Sequence, residues 1–393
     1  MHLSFTAAEN AFRDEVRTFL DEKFPRSDRR RRAIFRHASR DEFVAAQRIL
    51  NERGWAVPNW PMQWGGQDWS WIQKHIFAEE LQAAFVPGPL AFNVVMVGPI
   101  LAAFGTEAQK HRFLRPTANL DIWWCQGFSE PEAGSDLANL KIRAERQGEY
   151  FVVNGQKAWT TLAVYADWMF LLARTDVAAK RHHGISFLLV DLKSPGISVR
   201  PTKLIDGRHE VCEVFFSDVR VPVENLVGQE NRGLDCARFL LANERAGIAR
   251  VAASQGRLAV ARDLLRETPR GDGTLWDDLL WRTRVARLEV ELKALEITQM
   301  RIIAATGRGE NPEADPRSSL LKIKGSELQQ ATTELLKDIA GMAGLRGDAP
   351  RGIAMESWEP ETQSLYFNTR KVSIYGGTNE IQRNIVAKTI LDL

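Results

Sequence analysis

Over residues 1–120 apolar positions recur at the three- and four-residue spacing of helices, and strand-like alternation is absent. Thr6 and Glu9 form a capping box, and Phe12, Val16, Phe19 and Leu20 fall on one face of the helix it opens. Residues Pro58–Gly66 and Val86–Pro89 read as loops. Between 121 and 225 the pattern changes. Tyr150–Val153, Asn154-Gly155 and Gln156–Thr161 predict a β-hairpin whose Asn-Gly pair supplies the positive φ angles of a type I′ turn. Further strands are expected over Trp168–Ala173, Ile185–Leu192 and Val211–Phe216. From about residue 231 helical spacing returns over 233–266, 276–306 and 316–342, with a last helix near 360–393. The chain therefore reads as mainly α with a central β domain: an N-terminal α-helical domain over 1–120, a middle β domain over 121–230, and a C-terminal helical bundle over 231–393.

Composition narrows the field of functions. The 393 residues are 44% hydrophobic and 26% charged, an ordinary globular balance. A formal net charge of +2 gives no global field for a polyanion, so nucleic acid is not an expected partner. Cys125, Cys212 and Cys236 are too few and too scattered for a disulfide framework or a zinc site and suit a reducing cytoplasm. The histidines show no ligand spacing, so no metal is expected. Glu9, Asp14 and Glu15 interrupt any signal-peptide core. The apolar stretch Ala83–Phe104 carries Pro87, Gly88, Pro89, Gly98 and Pro99, which reads as broken buried helices and not a membrane span. Seven arginines lie between Arg26 and Arg40; the run reads as a solvated face, or as a patch for a partner or for phosphates.

Four segments could carry chemistry. Trp123–Asp136 ends in a loop of small residues, Ser129-Glu130-Pro131-Glu132-Ala133-Gly134-Ser135, where backbone N–H groups could approach an anion or a ring edge; the plain alternative is a turn. No Gly-x-Gly-x-x-Gly follows a strand, and Gly341, Gly344 and Gly347 look like helix ends. Lys157–Thr161 offers Trp159 for stacking on a flat cofactor and Thr161 for a hydrogen bond, or else a core aromatic beside a cross-strand Thr. Glu244 falls on the apolar stripe of Ala237, Leu240, Leu241, Gly247, Ile248 and Val251, with no cation at helical spacing to pair with it. Burial there would raise its pKa and ready it as a base; a rotated helix would leave it in solvent or paired across helices. In Ile374–Arg383, Gly376 and Gly377 permit close backbone approach, and Thr378 can cap a helix with Glu380 in its first turn.

Together these segments resemble the acyl-CoA dehydrogenase family over nearly the whole chain. The resemblance rests on Cys125–Asp136, Lys157–Thr161 and Tyr375–Arg383, in the family's order. Trp55–Gly66 and Trp123–Leu137 are most similar to bacterial pimeloyl-CoA dehydrogenase large subunits and steroid-side-chain enzymes. The resemblance implies an N-terminal helical domain, a middle β-barrel-like domain and a C-terminal four-helix bundle, with FAD as cofactor. It implies that Phe128, Ser129, Gly134, Ser135, Trp159 and Thr161 meet the flavin, that Thr378 and Glu380 approach its adenine side, and that Ser135, Arg245, Tyr375 and Gly377 line the CoA channel.

The family's frequent catalytic Glu is replaced by Gly376, whereas a minority of members place the base where this chain has Glu244. The resemblance thus implies α,β-dehydrogenation of an acyl-CoA to the trans-2-enoyl-CoA, with Glu244 as base, the Gly376 N–H on the thioester carbonyl, and electrons passed to an electron-transfer flavoprotein. Gly271–Trp276 lacks an Arg that homotetrameric members use toward a neighbour's FAD, so the resemblance implies a homo- or heterotetramer, in the latter case with a small-subunit partner completing the flavin site. A non-catalytic assembly subunit and an oxygen-using oxidase or monooxygenase are the alternatives.

Overall fold

A computed structural model describes the chain except residues 1–4, 35–37, 181, 307–315 and 346–357, and except the side chains of 241–248. In chain order its helices are α1 (Ala7–Lys23), α2 (Ser27–Ile34), α3 (Arg40–Glu52), α4 (Trp71–Ala83), α5 (Gly98–Phe104) and α6 (Glu107–Ala118). After the strands come α7 (Gly233–Ile248), α8 (Val251–Glu267), α9 (Leu279–Thr306), α10 (Arg317–Ala340), α11 (Glu359–Thr369) and α12 (Asn379–Ile390). The strands are β1 (Trp124–Gly127), β2 (Arg143–Gln147), β3 (Tyr150–Thr161), β4 (Trp168–Arg174), β5 (Ile185–Asp191), β6 (Ile197–Thr202), β7 (Val211–Pro222) and β8 (Leu226–Val227), then the short pair β9 (Pro269–Arg270) and β10 (Gly273–Thr274). Two compact units result: Ser39–Asp68 with Gly88–Glu244, and Met1–Ala38 with Trp69–Pro87 and Arg245–Leu393. They cut across the three consecutive segments of the sequence.

The first unit is built on a sheet of order β6-β7-β3-β2-β4-β5-β8, with β1 added parallel to β4. Buried amides fix the entry to β1. The Asn93 side chain donates to Thr117 O (3.0 Å) and Ile122 O (2.7 Å) and accepts from Trp124 N (3.1 Å). Gln47 likewise donates to Ala118 O (2.9 Å) and accepts from Leu90 N (2.9 Å). Buried polar groups persist only when satisfied; Gln47 ties α3 to the end of α6 and to Leu90, and Asn93 ties the helical layer to the strand that leads into the loop of small residues.

The hairpin predicted at Asn154-Gly155 does not form. β3 runs unbroken through both residues, pairing antiparallel with β7 from Tyr150↔Pro222 to Thr161↔Val211. Gly155 takes its positive φ (138°) at a register slip and not at a turn; the turn lies at Gly148, between β2 and β3. Across the slip Asn154 donates to Asp218 Oδ1 (3.0 Å), and its own Oδ1 accepts from Asp218 N (2.8 Å), so the Asn-Gly chemistry is spent on a β-bulge.

The second unit is helical. Ile34 joins Leu258, Leu265, Leu292, Leu321, Leu328, Leu336 and Leu365 in one apolar core. The helix expected over 233–266 is broken between α7 and α8, where Arg250 has φ 47°. The capping box of Thr6 and Glu9 and the N-cap of Thr378 are present as read from the sequence. The arginine run is largely occupied inside this unit. Arg26 and Arg29 pair with Asp21, Arg32 with Asp28, and Arg30 makes a bidentate contact with Glu267 (2.8 and 2.6 Å). The broken stretch Ala83–Phe104 ends α4, passes through a π-helical turn over Phe92–Val97 and continues as α5. Among the described residues no helix is long and apolar enough to cross a membrane.

The helical unit also buries a titratable cluster. His75 Nε2 lies 3.6 Å from Glu79 Oε2 on α4. Burial lifts Glu79 to about 7, reinforced by Glu296 and Glu80 and opposed by Arg13 and Lys293, while burial and Arg13 drop His75 to about 4. At neutral pH the imidazole is therefore uncharged, and the contact is not an ion pair.

Candidate functional site

In the β unit the loop after β1 packs against β3. Phe128 is buried edge-on against Phe170 and Phe187. Ser129 O accepts from Ala158 N (2.9 Å), and Glu130 and Ala133 exchange backbone hydrogen bonds in a tight turn. Gly134 and Ser135 are exposed beyond that turn, and a Cβ at Gly134 would meet nothing within 4 Å.

Sequence reasoning quoted but did not interpret the residue beneath this loop. Lys157, 0% exposed, donates from Nζ to Phe128 O (2.8 Å) and to Glu130 Oε1 (2.9 Å). Glu130 is itself buried and accepts from the backbone N–H groups of Lys141 (2.6 Å) and Ile142 (3.1 Å). Burial pushes the Lys157 ammonium down to about 8, against the opposing pull of the Glu130 carboxylate. The signal that could have found it is strand parity. Phe151, Val153 and Lys157 all face inward, a phase β3 keeps up to Lys157 because the extra residue of the first slip lies in β7.

Two residues further on, Trp159 has φ 59° and is 63% exposed. Simple alternation would turn its indole inward with Lys157. The slip between Lys157 and Thr160 adds one residue to β3 and reverses the phase, so Trp159 faces out and Thr160 faces in. A left-handed conformation in a residue with a Cβ costs about 1–2 kcal/mol, and strain of that kind collects where a side chain has to be aimed. Thr161, half-buried, pairs with Val211 at the strand end.

In the helical unit the segment 374–380 is placed by α12. Gly376 and Gly377 have φ 64° and 81°, and a Cβ on Gly377 would press to 2.6 Å from Gln382 Nε2. Thr378 caps α12, accepting from Ile381 N. Tyr375 is 42% exposed. Glu380 is exposed and held below the usual carboxylate range, first by its own backbone N–H and then by the Thr378 hydroxyl. Beneath the segment a second buried lysine, Lys322, donates to Asn379 Oδ1 (2.9 Å), and Ser326 Oγ lies 3.0 Å from Asn379 Nδ2. Lys322, Asn379 and Ser326 were not read from the sequence. The side chains of Glu244 and Arg245 lie outside the described residues; the α7 backbone carries them one and one-and-a-bit turns beyond Leu240, which is fully buried. Among the described residues no cluster of His, Cys, Asp or Glu could hold a metal ion.

An indole pushed outward by strained backbone, beside a loop of exposed small residues, fits a flat, partly apolar group carrying polar substituents. Models of the acyl-CoA dehydrogenase N-terminal, middle and C-terminal domains match residues 6–121, 125–219 and 231–391. The chain belongs to the acyl-CoA dehydrogenase family and is an FAD-dependent oxidoreductase. Acyl-CoA dehydrogenase IpdE1 of Mycobacterium tuberculosis is 37% identical over 91% of this chain and 89% of its own length. The crystal structure of the ChsE4–ChsE5 complex from Mycobacterium tuberculosis is similar with a TM-score of 0.84 at 32% identity, covering 100% of this chain and 99% of that one. A Tcur3481–Tcur3483 steroid acyl-CoA dehydrogenase is similar with a TM-score of 0.86 at 30% identity, over 100% and 99% of the two chains.

Proposed function

We propose that Glu244 takes the α proton of a CoA thioester while the Gly376 N–H donates to the thioester carbonyl oxygen. The observation that carries this reading is residue 376. A glycine with φ 64° directly after Tyr375 gives that segment a backbone donor and no carboxylate. Glu380, the next acid along, is stabilised as its anion and is therefore a weak base. Glu244 continues a stripe whose Ala237 and Leu240 are buried, and a carboxylate losing hydration there gains basicity.

The carbon–hydrogen bond at the α position breaks toward the Glu244 carboxylate. Charge developing on the thioester oxygen is met by the Gly376 N–H, which needs no reorganisation because the backbone already holds it. When bound, FAD supplies the two-electron acceptor for the hydride that leaves the β carbon, giving the trans-2-enoyl-CoA. Phe128, Ser129, Gly134, Ser135, Trp159 and Thr161 would hold its flavin end, and Thr378 and Glu380 its adenine side. Ser135, Arg245, Tyr375 and Gly377 would line the CoA channel. This assignment follows a domain order of 1–120, 121–230 and 231–393.

The acyl group is best read as a steroid side chain or a comparably bulky acid, since a steroid enzyme stands among the similar structures. A heterotetramer, with electrons leaving to an electron-transfer flavoprotein, is the matching assembly. Two features support it: ChsE4–ChsE5 is a two-component complex, and the β9–β10 hairpin offers Asp272 at its exposed tip, a charge that repels a pyrophosphate. The deciding experiment is anaerobic flavin bleaching by a panel of steroidal, dicarboxylyl and branched CoA esters, with the wild type and Glu244→Gln, each made alone and with a second subunit. Bleaching of Glu244→Gln at the wild-type rate sinks the assignment of the base.

A further inference from the structure

We propose that Lys157 and Glu130 act together as a positioning pair that sets the distance between the Phe128–Ser129 segment and the bulge carrying Trp159. This rests on the reading above, in which both segments hold the flavin end of FAD. Neither residue faces outward, so neither is a catalytic residue; both would act through the segments they hold.

The geometry is specific. One ammonium bridges the main chain at Phe128 and the carboxylate at Glu130, from a residue two positions before Trp159. The same carboxylate reaches the backbone N–H groups at Lys141 and Ile142, where the loop re-enters the sheet. Ala158 N closes the gap between Lys157 and the loop by donating to Ser129 O (2.9 Å). Loop start, loop end and bulge are thereby joined through two side chains. Such a pair is a poor device for stability, because exchanging a buried ion pair for apolar residues of similar volume is often neutral or favourable. What apolar residues cannot do is satisfy Phe128 O and the Lys141 and Ile142 amides at once while fixing their spacing. Phe128, T-shaped against the stacked Phe170 and Phe187, then becomes the rigid back of the same wall.

The test uses Lys157→Met, which keeps length and removes the donor. Loss of a charge-assisted hydrogen bond predicts FAD dissociation faster and affinity weaker by roughly 10- to 100-fold. The flavin absorption spectrum and midpoint potential should shift, and turnover should fall with KM for the CoA thioester unchanged. A residue serving stability alone would lower the melting temperature of the FAD-free protein and leave spectrum, potential and affinity in place; that result overturns the proposal. Should Lys157→Met not fold, Glu130→Gln carries the test. It keeps one carbonyl oxygen, turns the other acceptor of a backbone N–H into an NH2 group and loses the charge facing Lys157, so shifts in the same direction are expected, and wild-type values refute the pair. Trp159→Ala separates the two levels of inference. If it leaves the flavin spectrum untouched, the placement of FAD has failed; if it changes the spectrum while Lys157→Met does not, the positioning pair alone has failed.

Discussion

Each compact unit buries one lysine completely beneath a segment the chemistry is expected to use, and the two are handled differently. Lys157 in the β unit faces the Glu130 carboxylate and the main chain at Phe128, the buried root of a loop whose Gly134 and Ser135 are exposed. Lys322 in the helical unit reaches the amide oxygen of Asn379, the first residue of α12, while the residues before it, Ile374 and Tyr375, are 63% and 42% exposed. The first lysine, through Glu130, ties the two ends of its loop. The second fixes only the root of a segment and leaves its tip in solvent. A cofactor wall gains from being fixed at both ends, whereas a segment that must meet a bulky thioester gains from an anchored root and an exposed tip.

The largest effect that bears on this contrast is chemical. Glu244→Gln should lower turnover by ~10²–10⁴-fold, the usual worth of a positioned base, with FAD content unchanged by absorbance. Retained turnover would move the chemistry off α7. Next comes Lys322→Met, which removes the charged donor to Asn379 Oδ1, leaves Ser326 Oγ (3.2 Å) as the other, and should destabilise the helical unit by about 1–3 kcal/mol in urea unfolding. If the anchor view is right, this variant also raises KM for the CoA thioester, which Lys157→Met is expected to leave unchanged.

A third test concerns pH. Glu79, lifted to about 7 from 4.5, binds its proton more tightly when folded. Its stabilising contribution is therefore complete below about pH 4.5 and is lost as pH rises through 7. Glu79→Gln should accordingly be more stable than wild type at pH 8, by roughly 1–3 kcal/mol, and indistinguishable near pH 4.5. His75 works in the opposite sense: held down at about 4, it weakens the fold as pH falls below 6.5 in wild type and variant alike. Chemical denaturation at a series of pH values reads both limbs. The smallest effect is expected for Trp159→Gly, which relieves the left-handed strain and should raise the stability of the FAD-free protein by about 1 kcal/mol while weakening FAD binding. A variant that loses stability instead would show the bulge to be held by the indole and not by the sheet.

Much of this was legible in the residues. The order of helical and strand segments, the caps at Thr6 and Thr378, and the family followed from periodicity and from the segments around Glu130, Trp159 and Gly376. The failures share a cause. Asn154-Gly155 carries the chemistry of a turn, and only the pairing of β3 with β7 decides that the same angles serve a bulge. The break at Arg250 sits in an unbroken apolar stripe, so periodicity runs straight through it. Lys157 and Lys322 look like surface residues because their partners stand 27 and 57 positions away along the chain. The pairing of Arg26, Arg29 and Arg30 was hidden because their acids, Asp21 and Glu267, lie outside the run.

The two irregularities in β3·β7 cancel. Val153↔Val219 slips by one at Gly155↔Phe216, and Thr160↔Cys212 restores the pairing, so both strand ends meet as they would in a perfect ladder. In the language of crystals they are a bound pair of opposite dislocations, whose distortion dies away outside the stretch between them. An insertion or deletion within that stretch would leave one member unpaired, and the mismatch would run outward into β2 and β6. The indole at 159 is thus displayed by a defect that the rest of the sheet never feels.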